Sequence, residues 1–113
     1  MIAPTKDSVK IGIKDLNSKT LEEIALIAEK AIEKYLLKHV GKSNLHNLDT
    51  RVNVEYEDEL IVDISAQATF SPLFEKKKDE LLAEAIETAF ISVEKKLREI
   101  ANEQRNKEKS SNS

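Results

Sequence analysis

Leu60-Ile-Val-Asp-Ile-Ser-Ala-Gln-Ala-Thr-Phe70 decides the fold. Leu60, Val62, Ile64, Ala66, Ala68 and Phe70 share one parity; Asp63, Ser65, Gln67 and Thr69 share the other, with Ile61 the single apolar exception. Alternation of this length predicts a strand over 60–69 with one dry face and one wet face. A dry face needs cover, and the segments on either side of this strand supply it.

Upstream, Thr20 and Glu23 form a Thr-x-x-Glu capping box that predicts a helix over Thr20 to Val40. Leu21, Ile24, Ala25, Ala28, Ala31, Ile32, Tyr35, Leu36 and His39 recur at spacings of three and four, while Leu26, Ile27, Leu37 and Val40 widen the stripe. Gly41 is the stop, because glycine enters the left-handed region cheaply. Between the helix and the decisive strand, Val52, Val54 and Tyr56 alternate with Arg51, Asn53 and Glu55. They predict a strand over 51–56 that joins the next through a turn at Glu57-Asp58-Glu59, as an antiparallel hairpin.

Downstream, Pro72 closes the strand region, and Leu81, Leu82, Ala85, Ile86, Ala89, Phe90, Val93, Leu97, Ile100 and Ala101 predict a helix from Lys78 or Asp79 to about Glu103. Val9, Ile11 and Ile13 suggest a further short strand. The expected architecture is a two-layer α/β (α+β) domain of order (β)-α-β-β-α, a small antiparallel sheet packed against two helices. Its expected limits are 9–104, with a flexible arm over 1–8 and a disordered tail over 105–113.

At 113 residues there is room for one core. The net charge of −3 exerts no general pull on nucleic acid, and the absence of cysteine excludes disulfides, thiolate catalysis and cysteine-ligated metal. No run reaches the length of a bilayer span and the start lacks a signal-peptide core, so a cytoplasmic location without membrane contact is expected. Abundant Lys, Glu and Ile lean toward a thermophilic host.

Lys95-Lys-Leu-Arg-Glu-Ile-Ala-Asn-Glu103, together with Leu81-Leu-Ala-Glu-Ala85 and the first helix, resembles a small archaeal protein family classed as a domain of unknown function. The likeness covers about residues 9–104. It implies a compact α/β protein, often encoded near the prefoldin beta subunit, and brings no catalytic or ligand-binding motif.

The chain offers few chemical constellations. His39 falls at a helix end, where its charge suits the dipole, and His46 lies in a polar loop; the two lack any zinc spacing. Six carboxylates stand between Asp49 and Gln67 against one arginine, the pattern of a solvated hairpin tip. Lys76, Lys77 and Lys78 are the single basic run, a candidate nucleic-acid contact, but Glu75, Asp79 and Glu80 neutralise them and no stacking platform accompanies them. No catalytic residue, cofactor site or metal site is nominated.

A strand of about ten residues spans roughly 33 Å and the last helix roughly 35–40 Å, so that helix should overrun its sheet. Ile86, Phe90, Val93, Leu97 and Ile100 are therefore the expected interface of a homodimer. The expected function is that of a non-enzymatic structural or adaptor protein acting through protein contacts, with an unidentified protein as a further partner. An RNA or ribonucleoprotein-associated binder is the alternative, with nucleic acid the less expected partner.

Overall fold

The computed structural model describes residues 5–11 and 16–111, with side chains described over 16–103. Its elements in chain order are β1 (Thr5–Ile11), α1 (Ser18–His39), β2 (Leu45–Tyr56), β3 (Leu60–Phe70), a 3-10 turn (Pro72–Lys77) and α2 (Lys78–Ser111). The expected layers, hairpin and element order are present.

β3 is the central strand of a three-stranded antiparallel sheet of order β1-β3-β2. Leu60, Val62, Ile64, Ala66, Ala68 and Phe70 are all buried on its helix-facing side. Full burial of a side chain such as Leu60 or Ile64 contributes about 1.5–3 kcal/mol, an upper estimate because unfolded chains already hide some surface. Opposite β3, in register, Val52 meets Ile64, Val54 meets Val62 and Tyr56 meets Leu60. The hairpin loop is therefore Glu57-Asp58-Glu59, as expected.

In α1, Ile24, Ala28, Ile32 and Leu36 recur every four residues and are fully buried. The cap is Asn17 rather than Thr20: Asn17 Oδ1 accepts a hydrogen bond from the Thr20 amide at 2.8 Å. Both residue types cap well, and the earlier one prevails because its side chain reaches an otherwise unpaired first-turn N–H. At the other end, Val40 N–H donates to Leu36 O at 2.8 Å, and Gly41 adopts φ +91°. The Gly41 carbonyl then accepts from both Asn44 and Leu45 amides at 3.2 Å, which turns the chain directly into β2.

Three boundaries differ from expectation. β1 begins at Thr5, pairing Thr5 with Ala66 and Ile11 with Leu60, so 5–8 belong to the sheet rather than to an arm. Gly12 and Ile13, expected in that strand, lie outside the described residues, as do 1–4 of the expected arm and 112–113 of the expected tail. β2 begins at Leu45, six residues early. α2 continues to Ser111, so 105–111 extend the helix instead of forming a disordered tail. The polar, Lys- and Glu-rich composition that reads as a tail is also compatible with a helix, because Lys, Glu and Arg are good helix formers.

Tyr35, near the end of α1, donates its hydroxyl hydrogen bond to Glu84, near the start of α2. The helices are thus antiparallel, and the beginning of α1 with Leu16 and Leu21 lies toward the distal half of α2. Leu82, Ala85, Ile86, Ala89, Val93 and Leu97 complete the buried core.

Candidate functional site

The five residues expected to bind a second copy do not form a free face. Ile86, Val93 and Leu97 are each 2% exposed within a single chain, and Phe90 and Ile100 pack half-buried against the same core. The expectation assumed that the sheet alone must cover α2. Instead α1, running antiparallel beside it, supplies the cover as far as Leu97. The residues that overrun are polar, with Asn102 and Glu103 exposed.

The lysine run is divided by the 3-10 turn. Lys76 and Lys77 are exposed, but the Lys78 side chain is only 16% exposed and its Nζ lies 4.0 Å from Glu75 Oε2. The three therefore do not present one cationic face: Glu75 and Asp79 beside them are exposed, and so is the apolar Leu73, at 81%. His39 stacks on Tyr35 with ring centroids 4.2 Å apart. His46 Nε2 lies 3.0 Å from Ser71 Oγ, and the Ser71 amide donates to the Asn44 carbonyl at 2.9 Å. Together these contacts tie the start of β2 to the end of β3, a tethering role at the surface. Among the described residues, no group of three or more His, Asp or Glu side chains gathers as a metal ion would need.

Of the six carboxylates expected at the hairpin tip, Glu57, Asp58 and Glu59 form its loop, while Asp49, Glu55 and Asp63 lie along the open face of the sheet. There Asp49 is in register with Gln67, Arg51 with Ser65, Asn53 with Asp63 and Glu55 with Ile61. Arg51 Nε lies 3.8 Å from Asp49 Oδ2, and Asn53 Nδ2 donates to Glu55 Oε1 at 3.1 Å. The depression over Asp49, Arg51, Ser65 and Gln67 holds about 160 Å³, shallow and wet.

The feature best suited to recognition is the side of the molecule where β2 ends the sheet. β2 is hydrogen-bonded to β3 along one side, and along the other it meets a groove of about 390 Å³ lined by Glu29, Glu33 and Leu37 of α1 and by Leu45, Leu48 and Thr50 of β2. Leu26, Glu29, Glu33 and Leu37 follow one another at spacings of three and four, so they form one flank of α1 above this edge. The two leucines are 49% and 39% exposed. Chemically the groove offers main-chain donors and acceptors, apolar contacts and carboxylates, the elements of strand recognition. The sequence carried a signal for it: Leu48 and Thr50 continue the parity of Val52, Val54 and Tyr56.

Residues 13–96 match the family described as "Protein of unknown function (DUF3194)". An uncharacterized protein of Thermococcus kodakarensis is 26% identical over 99 residues, covering 88% of this chain and 92% of its own length. One from Methanothermobacter thermautotrophicus is 32% identical over 84 residues, covering 74% of this chain and 91% of its own. Among solved structures, a crystal structure from Thermococcus onnurineus NA1 superposes with a TM-score of 0.70 at 31% identity, covering 89% of this chain and 98% of that one. The solution structure of a hypothetical protein from Methanothermobacter thermautotrophicus gives 0.65 at 32% identity, covering 78% and 96% respectively.

Proposed function

The chain belongs to this archaeal family of thermophiles, and we propose that it works without catalysis, as a structural or adaptor protein that acts through protein contacts. The observation that supports this reading is the long outer edge of β2 beside an exposed leucine- and glutamate-bearing flank of α1. A strand added there gains main-chain hydrogen bonds for affinity and alternate side-chain contacts for specificity. The depressions described above are shallow and open. Among the described residues, His46 and Ser71 are the pairing that resembles part of a nucleophilic set, and they meet at the exposed surface rather than in an enclosed pocket. A gene position beside that of the prefoldin beta subunit, expected from the resemblance, fits a protein-contact role as genomic context.

Photo-cross-linking tests the reading. A cross-linker at Leu37 should give protein adducts in an extract of the native host, unchanged by ribonuclease, and one at Ile91, 60% exposed on α2, should give few. Adducts confined to Lys76 and Lys77 and abolished by ribonuclease would favour the RNA-binding alternative.

A further inference from the structure

We propose that the occupant of the β2 edge is a second copy of this chain, its β2 paired antiparallel with the first about a two-fold axis at Thr50, giving one six-stranded sheet. The inference rests on reading this side as a protein-contact surface, and it names the partner and the register.

The register follows from charge. With Thr50 facing its own counterpart, Asp49 lies opposite the partner's Arg51 and Arg51 opposite the partner's Asp49, on the open face of the sheet. On the helix-facing side, Leu48 lies opposite the partner's Val52, and the reverse. Asn47 meets the partner's Asn53, so the exposed layer pairs charge with opposite charge and amide with amide. Cross-strand pairs of this kind stabilise a sheet, whereas like charges directly opposite weaken it.

Neighbouring registers fail on that test. Centring the axis on Asp49 or on Arg51 sets like charges against each other, and centring on Val52 sets Asp49 against the partner's Glu55. Centring on Asn53 pairs Arg51 with the partner's Glu55 but sets Asp49 against the partner's Glu57 at the end of the strand. A two-fold axis perpendicular to the sheet also keeps both helix layers on one side, which isologous pairing of a one-sided sheet requires.

The same symmetry brings the two α1 helices side by side and antiparallel over the joined strands. Leu26 and Leu37, exposed on the flank above the edge, then come under cover. Glu29 and Glu33 on that flank are each followed by a lysine, Lys30 and Lys34, one step around the helix, which offsets the carboxylates that approach the axis. In the single chain, Asp49 and Arg51 approach each other only at 3.8 Å, with side chains 53% and 82% exposed, so both are available to a partner.

The test uses the full chain. Sedimentation or light scattering in the micromolar range should give twice 12.8 kDa. Asp49→Arg alone and Arg51→Asp alone each set like charges opposite at two places and should weaken the dimer on the order of tenfold or more. The double exchange restores the pairing and should restore the dimer. Both substitutions are at exposed side chains, so unchanged circular dichroism and melting of the monomer serve as the folding control for all three variants. The native chain has no cysteine, so Thr50→Cys introduces one thiol per copy, at the axis. Mild oxidation should link this variant into covalent dimers and leave Ile91→Cys unlinked. A wild-type mass of 12.8 kDa up to high micromolar concentration would overturn the proposal, as would a dimer indifferent to both single exchanges. A monomer whose Leu37 cross-linker still captures another protein would defeat only the self-pairing. A monomer that captures none would defeat the contact-surface reading as well.

Discussion

Tyr35 carries the clearest electrostatic consequence of the helix pairing. Its hydroxyl is pushed up to about 12, first by the hydrogen bond to Glu84, then by burial, then by the negative charges of Glu84, Glu80 and Glu87. Each of these favours the neutral phenol. Because the folded value lies above the unfolded one, the stabilisation is fully present below pH 10 and is lost as pH rises toward 12. A tyrosinate absorbance titration should show a step near pH 12 that Tyr35→Phe removes. Losing the hydrogen bond should cost that variant about 1 kcal/mol at neutral pH. Gly41 is the other residue whose role is sharply defined. A Cβ there would meet only Asn44 Nδ2, at 3.9 Å, so space does not oppose a side chain, but φ +91° does. Gly41→Ala should destabilise by about 1–2 kcal/mol in thermal or urea unfolding, with Gly41→Asn milder. Gly41 was legible in the sequence because only one residue type suits its conformation. The N-terminal cap was not, because Asn17 and Thr20 are both competent and the choice depends on where the preceding chain enters.

The elements show where sequence patterning stops being informative. β3 was legible nearly to the residue because it is paired on both sides and its parity never breaks. The start of β2 was hidden by the irregular register between Leu45 and Asn47, which separates Leu45 from the parity of Leu48 and Val52. α2 was legible in its apolar stripe, but what covers that stripe depends on the direction of α1 beside it, which no local pattern records. Leu97 is the decisive position. Its burial in the single chain means that Leu97→Ala should destabilise by about 2–5 kcal/mol whatever the state of association, measured as a shift in urea midpoint. Ile91→Ala, at an exposed position of the same helix, should fall within about 0.5 kcal/mol of wild type.

The whole molecule has a formal charge of −3 and a divided lysine run, which together oppose a polyanion. Fluorescence anisotropy with single-stranded RNA at physiological ionic strength should give affinity weaker than about 100 μM, and Lys76→Ala with Lys77→Ala should change it little. A tight, salt-sensitive complex lost in that double variant would reverse the conclusion. The two-layer architecture was legible at this scale because periods of 3.6 and 2 follow from one-sided burial. Of the candidate site, the parity of Leu48 and Thr50 was legible, but the free edge was not. An edge is a property of strand order, and β1-β3-β2 emerges only when a strand from early in the chain takes its place beside the hairpin.

That placement governs the order of folding. β2 and β3 need only a three-residue loop to meet, whereas Ile11 must close a span of about fifty residues to reach Leu60. Loop-closure entropy therefore favours the hairpin and its covering helices as the nucleus, with β1 docking afterwards. Substitutions of Val62 or Val54 should therefore slow refolding more than they speed unfolding. On the ribosome the contrast is sharper still: β1 emerges first, yet its partner strand does not exist until β3 has been synthesised.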